Sequence, residues 1–313
     1  PSTVSGRRPT ALTGELAMKA AFRIFPIALL AVLAQDVRAQ QAFPSPDAAA
    51  EALVAALGTQ QADPARLAAL LGADWRTYIP LEGVDREDVD AFLARYREKH
   101  STQPDGKGQA HLVVGTDPWT LPLPITQRKD GWAFNAKAGG EEIRERRIGR
   151  NELATVQSAL AYYDAQVDYA EIDRDGDGVL EYAQKFISSN GKYDGLYWAE
   201  EPGIEESPLG PLFGDAKPGG DWHGYHYRIL DAQGPSAPGG AYNYKLGDNM
   251  SRGFALIAWP AKYGDSGVMS FMISHEGQLF EKDQGPDSAK LATAMLRFDP
   301  DSSWSDVEEQ PVP

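Results

Sequence analysis

Hydrophobic residues recur along this chain in two rhythms. Between Asn151 and Ala170, the residues Leu153, Val156, Leu160, Tyr163 and Val167 stand three or four apart, which places them on one face of a helix with Asn151 as its cap. Three shorter helices precede it. Ser45-Pro46 opens one that closes at Gly58, Asp63-Pro64 opens a second that closes at Gly72, and Asp85 opens a third that runs to about residue 99 and buries Val89, Phe92, Leu93 and Tyr96. A period of two then takes over: 110–115 reads as a strand, Trp119, Leu121, Leu123 and Ile125 alternate, and Lys129-Asp130-Gly131 turns the chain back toward Trp132 and Phe134. Beyond the central helix a Pro/Gly-rich loop occupies 202–220. Strands are predicted over 223–230, 241–245, 253–259 and 268–274, then a helix over 286–298 with Leu291, Met295 and Phe298 on one side.

This order predicts an α+β protein in two parts. Residues 42–140 supply N-terminal helices and a curved antiparallel sheet, similar to the cone-shaped, nuclear-transport-factor-2-like (NTF2-like) folds. Residues 141–313 supply a long helix followed by an antiparallel β-sheet, analogous to the globular part of pilins. The helix lies mid-chain without an apolar extension to pack a fibre, so the pilin analogy stops at the fold. The boundary is placed in GGEEIRERRIGR, residues 139–150, where Arg144, Arg146, Arg147 and Arg150 are interleaved with acids. That segment reads either as a solvated helix start with a salt-bridge seam or as a phosphate-binding patch.

Composition changes the picture first at the N-terminus. Met18 begins MKAAFRIFPIALLAVLAQDVRAQQ, in which Lys19 and Arg23 accompany an apolar core over 24–33 and small residues stand at Val37 and Ala39. These are the parts of a secretory signal peptide over 18–39, and residues 1–17 read as an upstream extension of the reading frame. The apolar run is too short to span a bilayer, and no later segment approaches the required length. The 313 residues carry a formal charge of −15. Without residues 1–39 the balance is 25 basic against 43 acidic residues, or −18. Such a surface repels nucleic acid and anionic lipid heads, which removes both as expected partners. There is no Cys, so an exported chain of this kind relies on its core, an ion or an assembly, and has no thiol chemistry or Cys-based zinc site.

The central helix runs straight into the stretch with metal-ligand spacing. In DRDGDGVLEYAQ, Asp173, Asp175 and Asp177 alternate, Gly178 follows at the sixth position and apolar Leu180 stands at the eighth, as in the first two-thirds of an EF-hand loop. Val179 holds the seventh position and Glu181 the ninth. The twelfth is Gln184 rather than a bidentate Glu, so the loop binds calcium weakly or borrows a carboxylate such as Glu171. The expected cofactor is calcium, held as a structural ion by Asp173, Asp175, Asp177, Val179 and Glu181. The competing reading is a solvated Asp/Gly turn between helix and strand.

No catalytic residue is assigned. Gly264-Asp265-Ser266-Gly267 matches the tetrapeptide around the nucleophile of trypsin-like proteases, but Val268 and Met269 stand where that family has Gly and Pro. Its place between two predicted strands is that of a hairpin turn. His223 and His226, if in a strand, point to opposite faces and cannot chelate one ion. His275-Glu276 sets a base beside an acid with no nucleophile paired to them in sequence. Tyr193, Tyr197, Trp198, Trp222, Tyr225, Tyr227, Tyr242 and Tyr244 flank Gly-rich loops, where rings either stack on sugars or fill a β core.

The runs RRIGRNELATVQSALAYYDAQVDYA, DRDGDGVLEYAQKFISSNGKYDGLYW, NMSRGFALIAWPAKYGDSGVMSFMIS and GPDSAKLATAMLRFDPDSSW together resemble the bacterial family known as domain of unknown function 2950. The resemblance extends from about residue 43 to 304; Gln284 departs from the apolar residue usual there. It implies an exported bacterial protein and assigns no activity. Residues and resemblance together predict a periplasmic or secreted, non-catalytic envelope protein with a binding or structural role toward an envelope protein or glycan. The alternative is a hydrolase acting on an envelope polymer through a carboxylate pair, marked by two facing carboxylates in one cleft away from Asp173. Expression in a bacterium with export intact is expected to yield a chain beginning near Gln40, read by intact mass. A mass that retains the segment from Met18 contradicts the leader assignment.

Overall fold

The computed structural model describes residues 40–80, 84–200, 202–210 and 220–307. The leader over 18–39, the extension over 1–17 and residues 211–219 of the Pro/Gly-rich loop lie outside the described residues. Local capping sets the first elements. α1 (Pro46–Leu57) starts at Ser45, whose Oγ accepts from the Ala48 N–H at 3.2 Å, and α2 (Pro64–Leu71) starts at Asp63, whose carboxylate accepts from Ala65 and Arg66. α3 (Arg86–Glu98) starts in a capping box, Asp85 and Asp88 each accepting the other's backbone N–H. Gly58 and Gly72 close α1 and α2 at positive φ, as their positions in the sequence imply.

Five strands follow: β1 (His100–Pro104), β2 (Gln109–Val114), β3 (Trp119–Thr120), β4 (Ile125–Arg128) and β5 (Gly131–Phe134). They form an antiparallel sheet in the order β1-β2-β4-β5, with β3 beside the far half of β2. Leu53, Leu67, Leu70, Trp75, Ile125 and Phe134 make the core between this sheet, α1 and α2. The expected cone does not form, because the sheet is an open path that neither curls nor closes. The reason lies between β3 and β4. Pro122 and Pro124 have no N–H to donate, so the alternating run from Trp119 to Ile125 breaks into two short strands instead of one long curved one. β1 escaped the pattern because it is a polar strand without a buried face.

α4 (Ala136–Tyr169) leaves β5 almost at once and runs 34 residues, about 50 Å. Its cap is Asn135, whose Oδ1 accepts from the Ala138 N–H at 3.1 Å. Asn151, expected to be the cap, lies mid-helix and donates its side-chain amide to the Ser266 carbonyl at 2.8 Å. The charged segment 139–150 is therefore helical, and the helix runs unbroken through it. Gly139 and Gly140 allow this: a Cβ on Gly140 would overlap the Tyr78 carbonyl oxygen, and one on Gly139 would press into Leu123. The helix thus packs on the first part at its start and on the sheet that follows it further along.

The buried stripe of α4 differs in part from the expected one. Thr155, Ala159, Tyr162, Gln166 and Tyr169 face the core, Val156, Leu160 and Tyr163 of the expected face pack half-buried against it, and Leu153 and Val167 are 58% and 43% exposed. Ala159 and Ala165 let the helix approach closely, and the tyrosine hydroxyls find backbone acceptors: Tyr162 on Ala255 at 3.2 Å and Tyr169 on Tyr193 at 2.9 Å. Beneath lies the second sheet, made of β6 (Tyr225–Leu230), β9 (Ala255–Pro260), β10 (Met269–Ser274), β11 (Leu279–Asp283) and β12 (Ser305–Asp306). It is antiparallel in the order β12-β11-β10-β9-β6, beside a ribbon of β7 (Ala232–Gln233) and β8 (Tyr242–Asn243). With α4 and α5 (Ser288–Ala294) against it, β9 is covered on both faces, and residues 255–258 are at most 1% exposed. α5 is shorter than the predicted helix, since Phe298 leaves it to bridge to Gln233.

Two glycines of α4 separate packing from propensity. Gly149 has open space around its Cβ position, so Gly149→Ala is expected to stabilise by about 0.4–1 kcal/mol. Gly140→Ala is expected to destabilise by about 1–3 kcal/mol through overlap with Tyr78. Denaturant melts of both variants check the pair, and effects of equal sign contradict the packing role of Gly140.

Candidate metal centre

The loop after α4 is held at its entry, its neck and its flank. At the entry, Arg174 folds back over the helix end. Its guanidinium stacks on Tyr169 at 4.9 Å and on Trp198 at 5.1 Å, donates to the Tyr169 carbonyl at 3.3 Å and pairs with Glu205 at 3.5 Å. At the neck, the buried Gln166 amide accepts from the Ala183 N–H at 2.8 Å and donates to the Ala183 carbonyl at 2.9 Å. On the flank, residues 248–250 dock. Asn249 Nδ2 donates to Asp177 at 2.5 Å, the Met250 N–H donates to Glu181 at 3.2 Å, and Gln184 donates to the Asp248 carbonyl at 2.7 Å.

Within that frame, Gly176 and Gly178 adopt positive φ, which curls the chain and points the short carboxylates together. Asp173 accepts from the N–H groups of Gly176 and Gly178 at 2.8 and 2.9 Å, Asp175 from Asp177 at 3.2 Å, and Asp177 from Val179 at 2.8 Å. One oxygen from each of the three carboxylates lies within 4.8 Å of the others. Oxygens around calcium at about 2.3–2.6 Å stand at most about 5 Å apart, so this spacing fits a hard cation. Asp173 is half-buried, and Asp175 and Asp177 are open to solvent. The N–H groups of Gly178 and Gly176 hold the Asp173 carboxyl below its usual range. Glu181 is pushed up, first by burial and then by the charges of Asp175, Asp177 and Asp173, against the pull of the Met250 N–H.

The structure thus brings Asp173, Asp175 and Asp177 together. Val179 meets Asp177 through its backbone N–H, Glu181 turns to Met250, Gln184 turns to Asp248, and Glu171 faces a separate recess with Asp168. Arg174, Gln166 and Asn249 were missed from the sequence. Arg174 stands inside the motif, but its aromatic partners assemble only in the fold, and Asn249 lies 72 residues from Asp177.

The other constellations are committed elsewhere. Ser266 Oγ accepts from the Lys262 N–H at 2.9 Å and donates to its carbonyl at 3.2 Å, inside the turn between β9 and β10. His223 lies in the turn before β6 rather than in the strand, and His226 faces Gly220 and Trp259. The His275 imidazole, pushed down by burial, meets the Tyr242 hydroxyl at 3.1 Å and Glu276 at 3.4 Å. Among the flagged aromatics, Trp198, Tyr225 and Tyr244 are core, and Tyr193 is exposed. Glu281 is pushed up by burial and by Glu152, whose Oε1 accepts from the N–H groups of Val268 and Met269 at 2.9 and 3.0 Å. Glu152 staples α4 to β10.

The family described as protein of unknown function (DUF2950) matches residues 40–307. No curated protein and no solved structure matches the chain. Among the described residues, no helix is long and apolar enough to cross a membrane.

Glu181→Gln keeps an acceptor toward Met250 and removes the charge. A carboxyl whose folded pKa is raised favours the folded state while protonated. That contribution is complete below the unfolded carboxylate range and is lost as pH rises through the folded pKa. The substitution is therefore expected to raise the melting temperature at neutral pH in chelator, with the gain vanishing as the pH drops below the carboxylate range. A gain independent of pH in melting scans contradicts this account.

Proposed function

The chain belongs to the DUF2950 family, and on that premise we propose that it is an exported, non-catalytic protein of the bacterial envelope whose acidic loop holds a structural calcium ion. The observation that carries the ion is the convergence of Asp173, Asp175 and Asp177 at a spacing suited to a hard cation. Calcium is favoured over magnesium because its larger, flexible oxygen shell accepts short carboxylates from one turn, whereas magnesium demands near-ideal octahedral geometry and keeps most of its waters. The Val179 carbonyl and Glu181 complete the proposed set, Glu181 by exchanging the Met250 N–H for the ion. Export rests on the leader over 18–39. A binding or supporting role toward an envelope protein or glycan is preferred to turnover because Ser266, His275 and Glu152 are each committed to structural hydrogen bonds.

Three converging carboxylates with Gln184 turned away support an affinity on the order of 10⁻⁴ M or weaker. An ion at about 100 times its dissociation constant stabilises by roughly 2.7 kcal/mol. Each kcal/mol moves the midpoint of a protein this size by about 2–4 °C. A rise on the order of 5–10 °C is expected between chelator and about 10 mM calcium, smaller in magnesium and absent in Asp175→Ala. Equal melting temperatures in calcium and chelator for the unmutated protein establish the loop as a turn only.

A further inference from the structure

A second charged feature lies at the opposite end of α4 and shares no residue with the acidic loop. A cleft of about 820 Å³ opens between residues 76–80 and the first three turns of α4. Arg76 enters it from one side, and Lys137, Arg144 and Arg147 enter from the other. Spaced seven and three residues apart, the three helix residues form one stripe about 15 Å long. Gly140 is what seats this stripe against the turn, since the helix backbone settles directly on the Tyr78 carbonyl. Tyr78, Ile79 and Ile143 add apolar surface to the lining.

The charges in this cleft are out of balance. Among the described residues its carboxylates are Glu141 and Asp265, and Asp265 is already held by Arg147 and Lys262. Among the described residues Lys137 and Arg144 make no ion pair or hydrogen bond, and Arg76 only stacks on Trp75 at 5.1 Å. In a chain with a net charge of −15, basic side chains could each find an acid on the surface. Here they gather instead around one cleft, beside a helix start that adds positive potential of its own.

We propose that this cleft binds a small anion carrying at least two oxyanion groups, carboxylate or phosphate, that bridges Arg76 and the α4 stripe. The volume is that of a small-molecule site. Lys137 and Arg144 stand about 10 Å apart along the helix axis, which suits separated oxyanions better than a single one. Arg76 and Arg144 offer planar forks that take carboxylate or phosphate with two hydrogen bonds, and Lys137 acts as a point charge.

The test is calorimetric titration of the full chain with tripolyphosphate and with citrate, in calcium-free buffer because both probes chelate calcium. A DNA duplex is titrated in parallel. Saturable binding of at least one small anion is expected, weakening as salt rises, and the preferred probe identifies the oxyanion. Lys137→Gln and Arg144→Gln are each expected to weaken it about tenfold or more while melting as the unmutated protein does, since both side chains are exposed. Arg150→Gln removes the same charge from the same helix outside the cleft and is expected to change binding less than about twofold. Failure of both probes to saturate, an equal loss in Arg150→Gln, or tighter binding of the DNA duplex than of either anion each overturns the proposal.

Discussion

The side-chain amide of Gln166, with no exposed surface, faces Ala183 as a neighbouring strand would, donating to its carbonyl and accepting from its N–H. The acidic loop lies within the 17 residues that separate them, so this pairing closes the loop at its neck. A buried polar group left without its partner costs about 1–3 kcal/mol, and here an amide and a peptide unit would both be stranded. The neck therefore stays shut as long as α4 rests on its sheet. The same Gln166 Nε2 donates to the Tyr162 hydroxyl at 3.0 Å, and that hydroxyl donates to the Ala255 carbonyl at 3.2 Å, which carries the constraint into β9. Loop, helix and second sheet are positioned by one polar chain inside an otherwise apolar core.

α4 carries at both ends the charge that its dipole disfavours. Its first turn holds Lys137 and no acid; its last turn holds Asp168 and no base, and the acidic loop follows directly. At the C-terminal end Arg174 answers part of this, capping the Tyr169 carbonyl while Tyr169 and Trp198 hold its guanidinium. At both ends the side-chain charge and the helix dipole therefore add, in the same sign. The cation loop and the basic cleft are in this sense two outcomes of one element, and the interior of the helix supplies the rigid spacing between them.

The helix starts at Ser45, Asp63 and Asp85 were legible because a cap is a contact between residues two or three apart. The same locality made the Asp173–Asp175–Asp177 convergence legible, since Gly176 and Gly178 turn the chain within six residues. The α4 stripe was legible only in part. A count of apolar residues finds Val156, Leu160 and Tyr163 against the core but also selects the exposed Leu153 and Val167, whereas the sheet selects Ala159 for its small size and Tyr162, Gln166 and Tyr169 for the backbone partners they reach. The open first sheet was likewise hidden, because alternation from Trp119 to Ile125 reads as a strand until the missing N–H groups of Pro122 and Pro124 have to find a place in a ladder.

By itself the sequence determined the α+β order of elements, the acidic surface, the leader-like composition of 18–39 and the acidic turn, all of which depend on composition or on neighbours along the chain. Only the tertiary structure decided what surrounds that turn. Asn249 and Met250 reach it from across the fold, and Gln184 is drawn off to Asp248. Only the fold, too, set Arg76 opposite Lys137 and Arg144, residues whose meeting depends on Gly140 lying against Tyr78. Such pairings are fixed by close approach of distant backbone, and close approach follows from packing, which no periodicity in the chain encodes.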